Sequence, residues 1–516
     1  VPLNCLEEPL FTTKIGTGQT HLALPSLYSA LMRDVVDDMP AVRPYQRQAL
    51  HAFLVQVGAL AHLEGNINAP ALETSVWARL LRRLTANFSG DEPWSLVVED
   101  VSKPGFLQSP VPEGTLNALK QRDETPDALD ILVTSKNHDV KAKRMVIARP
   151  EHWFYALLTL QTMQGYLGAG NYGISRMNGG FASRPMVGLV PNGGMGARVR
   201  RDIKRLLQGR SDILNDNPAF AAVNGIGLVW MVPWNGDSPI APKELDPFYV
   251  EVCRRVRLIR EDTRIVALRA KTKSARIAFP KHTNGVTGDP WTPIDQRNTV
   301  RKALTVDGAG FHYKRVTDLL DARQYKAPTL QRWQEEDGTE GYSFVLTVMV
   351  RGQGGTDGFH ERRIPLPACA LPLFGAGVDT LATLANERVA DAATMRVNVL
   401  RPALIALQGT TDNPRIAQPA CEARASPFLA AFDRSVDSTF FEALFHELTA
   451  PDDAAKRTAR RQWLHALRGL AIHQLATAKA FTPRSAMRRY QAEGVAEDAI
   501  ESAFRRNFPN GDRGAA

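Results

Sequence analysis

Near Asp379 the sequence changes its period. Upstream, short apolar and β-branched runs alternate with glycine- and proline-rich turns. Downstream, alanine- and leucine-rich stretches repeat at three- and four-residue intervals. A strand alternates its faces every second residue and a helix returns to the same face after about 3.6, so the two patterns demand different kinds of layer. The chain is therefore read as α+β: a large mixed domain with a β-rich middle over residues 1–378, followed by a C-terminal antiparallel helical bundle over 379–516. Helices are expected downstream at 381–407, 427–432, 436–448, 454–478 and 483–508, joined by short polar connections.

Upstream, helical spacing marks 46–63, 74–88, 151–163 and 196–208. A buried strand is expected at 225–234, followed by two basic, alternating strands. A hairpin with a glycine-rich loop longer than a two-residue turn is expected within 342–366. The stretch from Thr134 to Arg144 is too polar and basic for a core strand and reads as an exposed loop.

Hydrophobic residues make up 44% and charged residues 23% of the 516, which excludes a mainly disordered chain. Four cysteines, Cys5, Cys253, Cys369 and Cys421, include no close pair. They exclude a disulfide scaffold and suit buried thiols in a reducing compartment. Glu7 and Glu8 lie where a secretory leader would carry basic charge. The longest apolar stretch, 53–63, is interrupted by Gln56 and His62 and is too short for a bilayer span. A cytoplasmic protein without membrane association is expected.

Lys and Arg outnumber Asp and Glu by 63 to 54, a formal charge of +9 that favours a polyanionic partner. The excess is clustered. Arg198, Arg200, Arg201, Lys204 and Arg205 crowd one helix; Arg254, Arg255, Arg257, Arg260, Arg264, Arg269, Lys271, Lys273 and Arg276 crowd the next strands. Such density calls for solvent or an anion, and Arg198, Arg200, Arg201 and Lys204 are taken as candidate phosphate contacts.

A glycine-dense segment precedes these clusters. Gly168, Gly170 and Gly173 spell GxGxxG, but a helix precedes them and no acid follows at the spacing of a dinucleotide site. Without Cβ atoms, this loop can bring its backbone against a partner, with Asn171, Tyr172, Ser175, Arg176 and Asn178 supplying polar reach. No GxSxG, P-loop or HExxH is present, and His446-Glu447 lacks the second histidine. No catalytic residue, metal site or cofactor is assigned.

Four passages in order carry a resemblance: LPSLYSALMRDV, PGFLQSP, GAGNYGISRMNGGFASRPMVGLV and RGQGGTDGFHERRIPLP. Together they resemble the CasA family, the large subunit of the type I-E CRISPR surveillance complex, Cascade. Gly105 departs from the family's usual proline. The resemblance implies a non-catalytic antiviral subunit that binds partner subunits and the crRNA 5′ end. It would inspect target duplex DNA for a short flanking motif, the PAM, through the minor groove, and start R-loop formation. It would also help to recruit the helicase–nuclease. The resemblance assigns groove contact to Gly168, Ala169, Gly170, Asn171 and Tyr172 and to Lys271 or Lys273. It implies a wedge at the hairpin tip Gln353, Gly354, Gly355 and Thr356, with Gln353 or Thr356 inserted, and a guide-end loop through Lys136, Asn137 and His138. Only Cys253 lies where some relatives hold zinc, so no zinc is expected. The alternatives are an RNA-binding scaffold outside CRISPR and a cofactor-using enzyme built on the GxGxxG loop.

Overall fold

A computed structural model describes residues 3–67, 70–132, 145, 147–178, 184–217, 219–339, 341–352, 355–375, 378–408, 414–482 and 486–509. Lys136, Asn137, His138, Gln353 and Gly354 lie outside the described residues. The fold is α+β. It divides into one unit of Val1–Phe311 with Arg323–Pro365 and another of His312–Ala322 with Leu366–Ala516.

In the first unit, β1 (Phe11–Ile15) and β2 (Gly18–Leu22) pair as a hairpin ahead of α1 (Leu24–Met32), α2 (Arg47–Gly65) and α3 (Thr74–Arg83). Tyr28 of α1 stacks on Trp77 of α3, with ring centroids 4.2 Å apart. Helix α2 is buried on every side from Gln48 to His62. The polar residues inside it therefore need partners. Gln56 donates to the carbonyls of Tyr249 and Phe248 at 2.7 and 3.2 Å, His62 Nδ1 lies 2.7 Å from the Gly58 carbonyl, and His51 Nε2 lies 2.7 Å from the Asp202 carboxylate. Gln56 and His51 thus cross-link α2 to other segments, while this bond of His62 lies within its own helix.

After β3 (Gln121–Asp123) comes α4 (Pro150–Met163), whose Phe154 stacks on Phe106 at 4.2 Å. Phe106 belongs to the PGFLQSP passage, which is a plug in the core: Phe106 and Leu107 are fully buried. Near the end of α4, Gln161 uses all its hydrogen-bonding capacity. It donates to the carbonyls of Leu107 and Arg254 and accepts from the N–H groups of Cys253 and Arg254, all at 2.8–3.0 Å.

Three strands of the first unit form the sheet β13–β12–β4: β4 (Met186–Pro191), β12 (Tyr342–Gly352) and β13 (Gly355–Leu366). Between β4 and β12 run α5 (Met195–Gln208) and α6 (Arg210–Asp216) and the strands β5 (Ile226–Leu228), β6 (Leu245–Val250), β7 (Arg255–Glu261) and β8 (Arg264–Ala270). The expected strand at 225–234 is short, because a 3₁₀ turn at Val229–Met231 ends it. The hairpin strands run to Gly352 and from Gly355, so strand extends into the stretch expected as a longer loop, and Gln353 and Gly354 lie outside the described residues. Pairing uses backbone groups, and polar residues of 355–358 continue the ladder.

The second unit is helical among its described residues. It includes α7 (Tyr313–Leu320), α8 (Val378–Thr394), α9 (Arg401–Gln408), α10 (Pro414–Leu448), α11 (Asp453–Ala480) and α12 (Ala486–Asn507). Its limit differs from the expected 378/379 boundary because α7, far upstream, belongs to it. The Tyr313 ring packs on Phe440 at 4.9 Å, and Lys314 pairs with Asp433 at 3.1 Å. Two expected helices merge into α10. The expected 381–407 helix contains a π-helical turn, Met395–Leu400, just before Pro402, which has no N–H to continue the α ladder. Cys5, Cys253 and Cys421 are buried, whereas Cys369 is exposed. Among the described residues no single helix is long and apolar enough to cross a membrane.

Replacing Gln161 with leucine should lower stability by about 2–4 kcal/mol in chemical denaturation, because four buried backbone groups lose their partner. Burial, aided by the charge of Arg198, lowers the His51 pKa from 6.5 to about 4. Between those values the unfolded chain takes up a proton that the native state refuses, so stability falls as pH falls through that window. His51→Gln should make denaturation midpoints less dependent on pH there.

Candidate nucleic-acid interface

The glycine segment leaves α4 as a loop with a closed neck. Gln164 O accepts from Ile174 N–H at 2.9 Å. At Gly173 a Cβ would lie 2.6 Å from backbone atoms of Gly165 and Tyr166, so the two sides of the neck touch. At the tip, Leu167 N–H donates to Asn171 O and Asn171 N–H donates to Gly168 O, at 2.9 and 3.0 Å. Gly168 and Gly170 hold φ of +99° and +86°, a region that favours glycine. Leu167 and Ala169 are exposed, and Gly168, Asn171 and Tyr172 are partly so.

Both roots of the loop are fastened from below. Arg254 donates to Gly165 O at 2.9 Å, and the Cys253 thiol faces Leu160 O at 3.3 Å. On the other side, Ser175 donates its N–H and hydroxyl to Glu251 at 2.8 and 2.9 Å. Burial raises the Glu251 pKa, opposed by the Arg176 charge. Arg176 lies 3.9 Å over the Tyr249 ring and donates to the carbonyls of Pro247 and Tyr249. Ser175 and Arg176, expected to reach outward, are anchors, because a buried loop root needs its polar groups paired internally.

The loop meets the candidate lysines. Thr272 N–H donates to Gly170 O at 3.0 Å, joining residues about a hundred positions apart. Lys271 lays its aliphatic stem over Gly170, where a Cβ would approach it to 2.9 Å. Lys271 is exposed and has no acidic partner among the described residues. Lys273 is 82% exposed, with Nζ 3.4 Å from the Asp237 carboxylate. The family resemblance already pairs the glycines with Lys271 or Lys273; Thr272, whose N–H joins the two segments, carries no signal of its own in the sequence.

The other two expected segments begin near the same place. Tyr45, Ile131 and Leu132 form a small apolar cluster against which Met163, Met349 and Phe359 pack. Leu132 immediately precedes the 133–144 segment, Met163 ends α4 before the glycine loop, and Met349 and Phe359 lie on the two strands of the β12–β13 hairpin. Asp130 accepts from Arg43 at 3.0 Å and from the Tyr45 hydroxyl, fixing this root. Of the expected wedge residues, Gly355 and Thr356 lie at the start of β13.

The basic clusters are largely internal, which corrects the phosphate expectation. Arg201 is buried and bonds Asp202, Asp337 and the carbonyls of Leu189, Leu330 and Arg332. Arg198 contacts Gln48 and Asp202, and burial lowers its pKa to about 10. Arg200 donates to the carbonyls of Leu31 and Met32 at 3.4 and 2.7 Å, and half-exposed Lys204 pairs with Glu336 at 2.9 Å. Arg257 and Arg276 serve carbonyls of irregular chain at 98–108 and 232–238, and burial lowers each pKa to about 10. Irregular buried backbone leaves carbonyls without ladder partners, and a guanidinium fork supplies several donors at once. An open cavity of about 860 Å³ lies elsewhere in this unit, beside Leu63, Ile203, Lys204, Leu207 and Tyr342, and includes none of the loop.

Gly173→Ala should cost about 3 kcal/mol in denaturant, since backbone must move to admit the methyl group. Gly168→Ala should cost only about 1–2 kcal/mol, the strain of a left-handed backbone, because no protein atom lies within 4 Å of the new Cβ.

Comparison with known proteins follows this geometry. The sequence profile described as CRISPR-associated protein Cse1 matches residues 17–474. No curated protein sequence matches. Among solved structures, Cse1 from Acidimicrobium ferrooxidans is 15% identical with a TM-score of 0.66, covering 99% of this chain and 98% of that one. Thermus thermophilus CasA (Cse1) is 14% identical with a TM-score of 0.62, covering 98% and 99%. Thermobifida fusca Cse1 is 14% identical with a TM-score of 0.63, covering 99% and 98%. At these identities the structures show a shared fold; the profile, spanning most of the chain, shows that this protein belongs to the CRISPR-associated Cse1 family, also called CasA.

Proposed function

We propose that this protein is the non-catalytic, PAM-sensing subunit of a type I-E Cascade complex. The observation that carries the reading is the bond from Thr272 N–H to Gly170 O, which sets a turn with Leu167 and Ala169 exposed and Gly168 partly so beside two exposed lysines, Gly170 itself being buried under the Lys271 stem. Minor-groove edges offer few distinguishing groups, so a backbone turn can read them permissively while cations hold the phosphates on either side. Sequence choice is then left to pairing with the guide RNA. The hairpin β12–β13 supplies the wedge at residues 353–356, and the segment containing Lys136, Asn137 and His138 meets the crRNA 5′ end; both roots lie by the Tyr45 cluster. Partial unstacking at the wedge costs a few kcal/mol, offset by protein contacts. The partners are crRNA, the other Cascade subunits, target duplex DNA and a helicase–nuclease, in the cytoplasm.

The test uses guide-loaded complexes and duplexes carrying a randomised flank. Lys271→Ala and Lys273→Ala should weaken binding and make its log–log salt dependence shallower by about one unit per lost phosphate contact. Gly168→Ala should reduce flank-dependent binding at least tenfold while assembly persists. An unchanged salt slope in both lysine variants, or unaltered flank selection with Gly168→Ala, would overturn the reading. DNA cleavage by the isolated chain would favour an enzyme, and guide-independent RNA binding without flank preference would favour a scaffold.

A further inference from the structure

Two tyrosines flank the glycine turn. Tyr166 precedes Leu167 and Tyr172 follows Asn171, the residues whose backbone bond closes the tip, so the turn brings both to its base. Their ring centroids are 5.8 Å apart at 52°, in mutual contact, and both side chains are partly exposed. Four other tyrosines of this unit bond their hydroxyls internally, Tyr28 on Leu54 O, Tyr45 on Asp130, Tyr249 on Ser175 and Tyr342 on Asp337 O, while the Tyr155 hydroxyl is buried without a partner among the described residues. No described residue is seen to hydrogen-bond the Tyr166 or Tyr172 hydroxyl. Among the described residues the fold gives these two hydroxyls no partner, although it fixes the backbone that carries them at Gly165, Thr272 and Ser175.

We infer that Tyr166 and Tyr172 are specificity-determining residues: a paired set of phenol hydroxyls that hydrogen-bonds base-pair edges in the duplex groove occupied by the glycine turn. This rests on the PAM-sensing reading and adds side-chain recognition to it. A phenol O–H donates to the purine N3 and pyrimidine O2 acceptors that line the minor groove, and its oxygen accepts from the guanine amine. Ring contact limits the rotamers of both side chains, so little conformational freedom remains to be lost on binding. The turn supplies close approach, the lysines supply charge, and the tyrosines add neutral side-chain donors and acceptors at the turn's base.

Tyr166→Phe and Tyr172→Phe delete the hydroxyls and keep the rings. Because the described residues give those hydroxyls no partner, melting temperatures should match the parent, which separates recognition from folding. Guide-loaded complexes would be titrated with duplexes randomised at the flanking base pairs. In parallel they would be titrated with a target whose first base pairs are already mismatched open. The expected result is a loss of about three- to tenfold for the preferred flanks, the equivalent of one hydrogen bond. Discrimination among flanks should flatten, while the salt slope and binding to the opened target stay unchanged. If the parent complex selects flanks and both phenylalanine variants select them equally well, the tyrosine inference is overturned and PAM sensing stands. If the parent shows no flank selection, PAM sensing itself fails. A uniform loss on all targets, opened ones included, would also overturn the inference, because it would mark a general contact and not a reading one.

Discussion

The first unit depends on one side-chain amide. Gln161 ties helix α4 to the plug at Leu107 and to the chain at Cys253 and Arg254, with every donor and acceptor of the amide in use. A polar group in a fully apolar surrounding is costly unless paired, and a completely paired one admits a single arrangement of its neighbours. Here those neighbours matter twice. Arg254 next reaches Gly165 O, and Cys253 faces Leu160 O, so the clamp that joins α4 to the link between β6 and β7 also sets the N-terminal root of the glycine loop. The loop inherits its position from the core.

The same logic explains where the positive charge goes. A sequence with a formal charge of +9 and arginines at 198–205 and 254–276 reads as a broad anion-binding face. Most of those side chains instead serve carbonyls of buried, irregular chain, or the carboxylates Asp202 and Asp337. Charge density along the chain says nothing about direction, and in β7 the alternate face occupied by Arg255 and Arg257 is covered as fully as that of Val256 and Leu258. The number of candidate phosphate contacts therefore shrinks, while two of those that remain exposed, Lys271 and Lys273, concentrate at one place.

Helices were legible because their signal is local: α2, α4 and α5 begin and end within a few residues of their periodic runs. The change of style near Asp379 also announced a helical second unit. What could not be read were facts of assembly. Helix α7 looks like any amphipathic segment, and only contacts made in the fold, Tyr313 on Phe440 and Lys314 with Asp433 among them, join it to the helices that follow Leu366. The glycine segment was visible as composition, but not its closed neck, since Gly165 and Ile174 are brought together by Gln164 O. Gln161 did leave a trace, as the one amide side chain in the mostly apolar run of α4.

The glycines of the loop do not all point to a ligand, and the distinction sharpens the functional argument. Gly173 is explained by the neck, where backbone stands 2.6 Å from a would-be Cβ, and Gly170 by the stem of Lys271 at 2.9 Å. Both would be required in a loop that bound nothing. Gly168 has open space around it among the described residues, and what calls for glycine there is its φ of +99°, well beyond the +51° and +55° that Asn66 and Asp91 accept. Gly168 thus differs: it sits at the tip of a loop fixed at both roots, no described atom lies within 4 Å of an added Cβ, and only its positive φ calls for glycine, so of the three it is the one whose replacement disturbs the frame least.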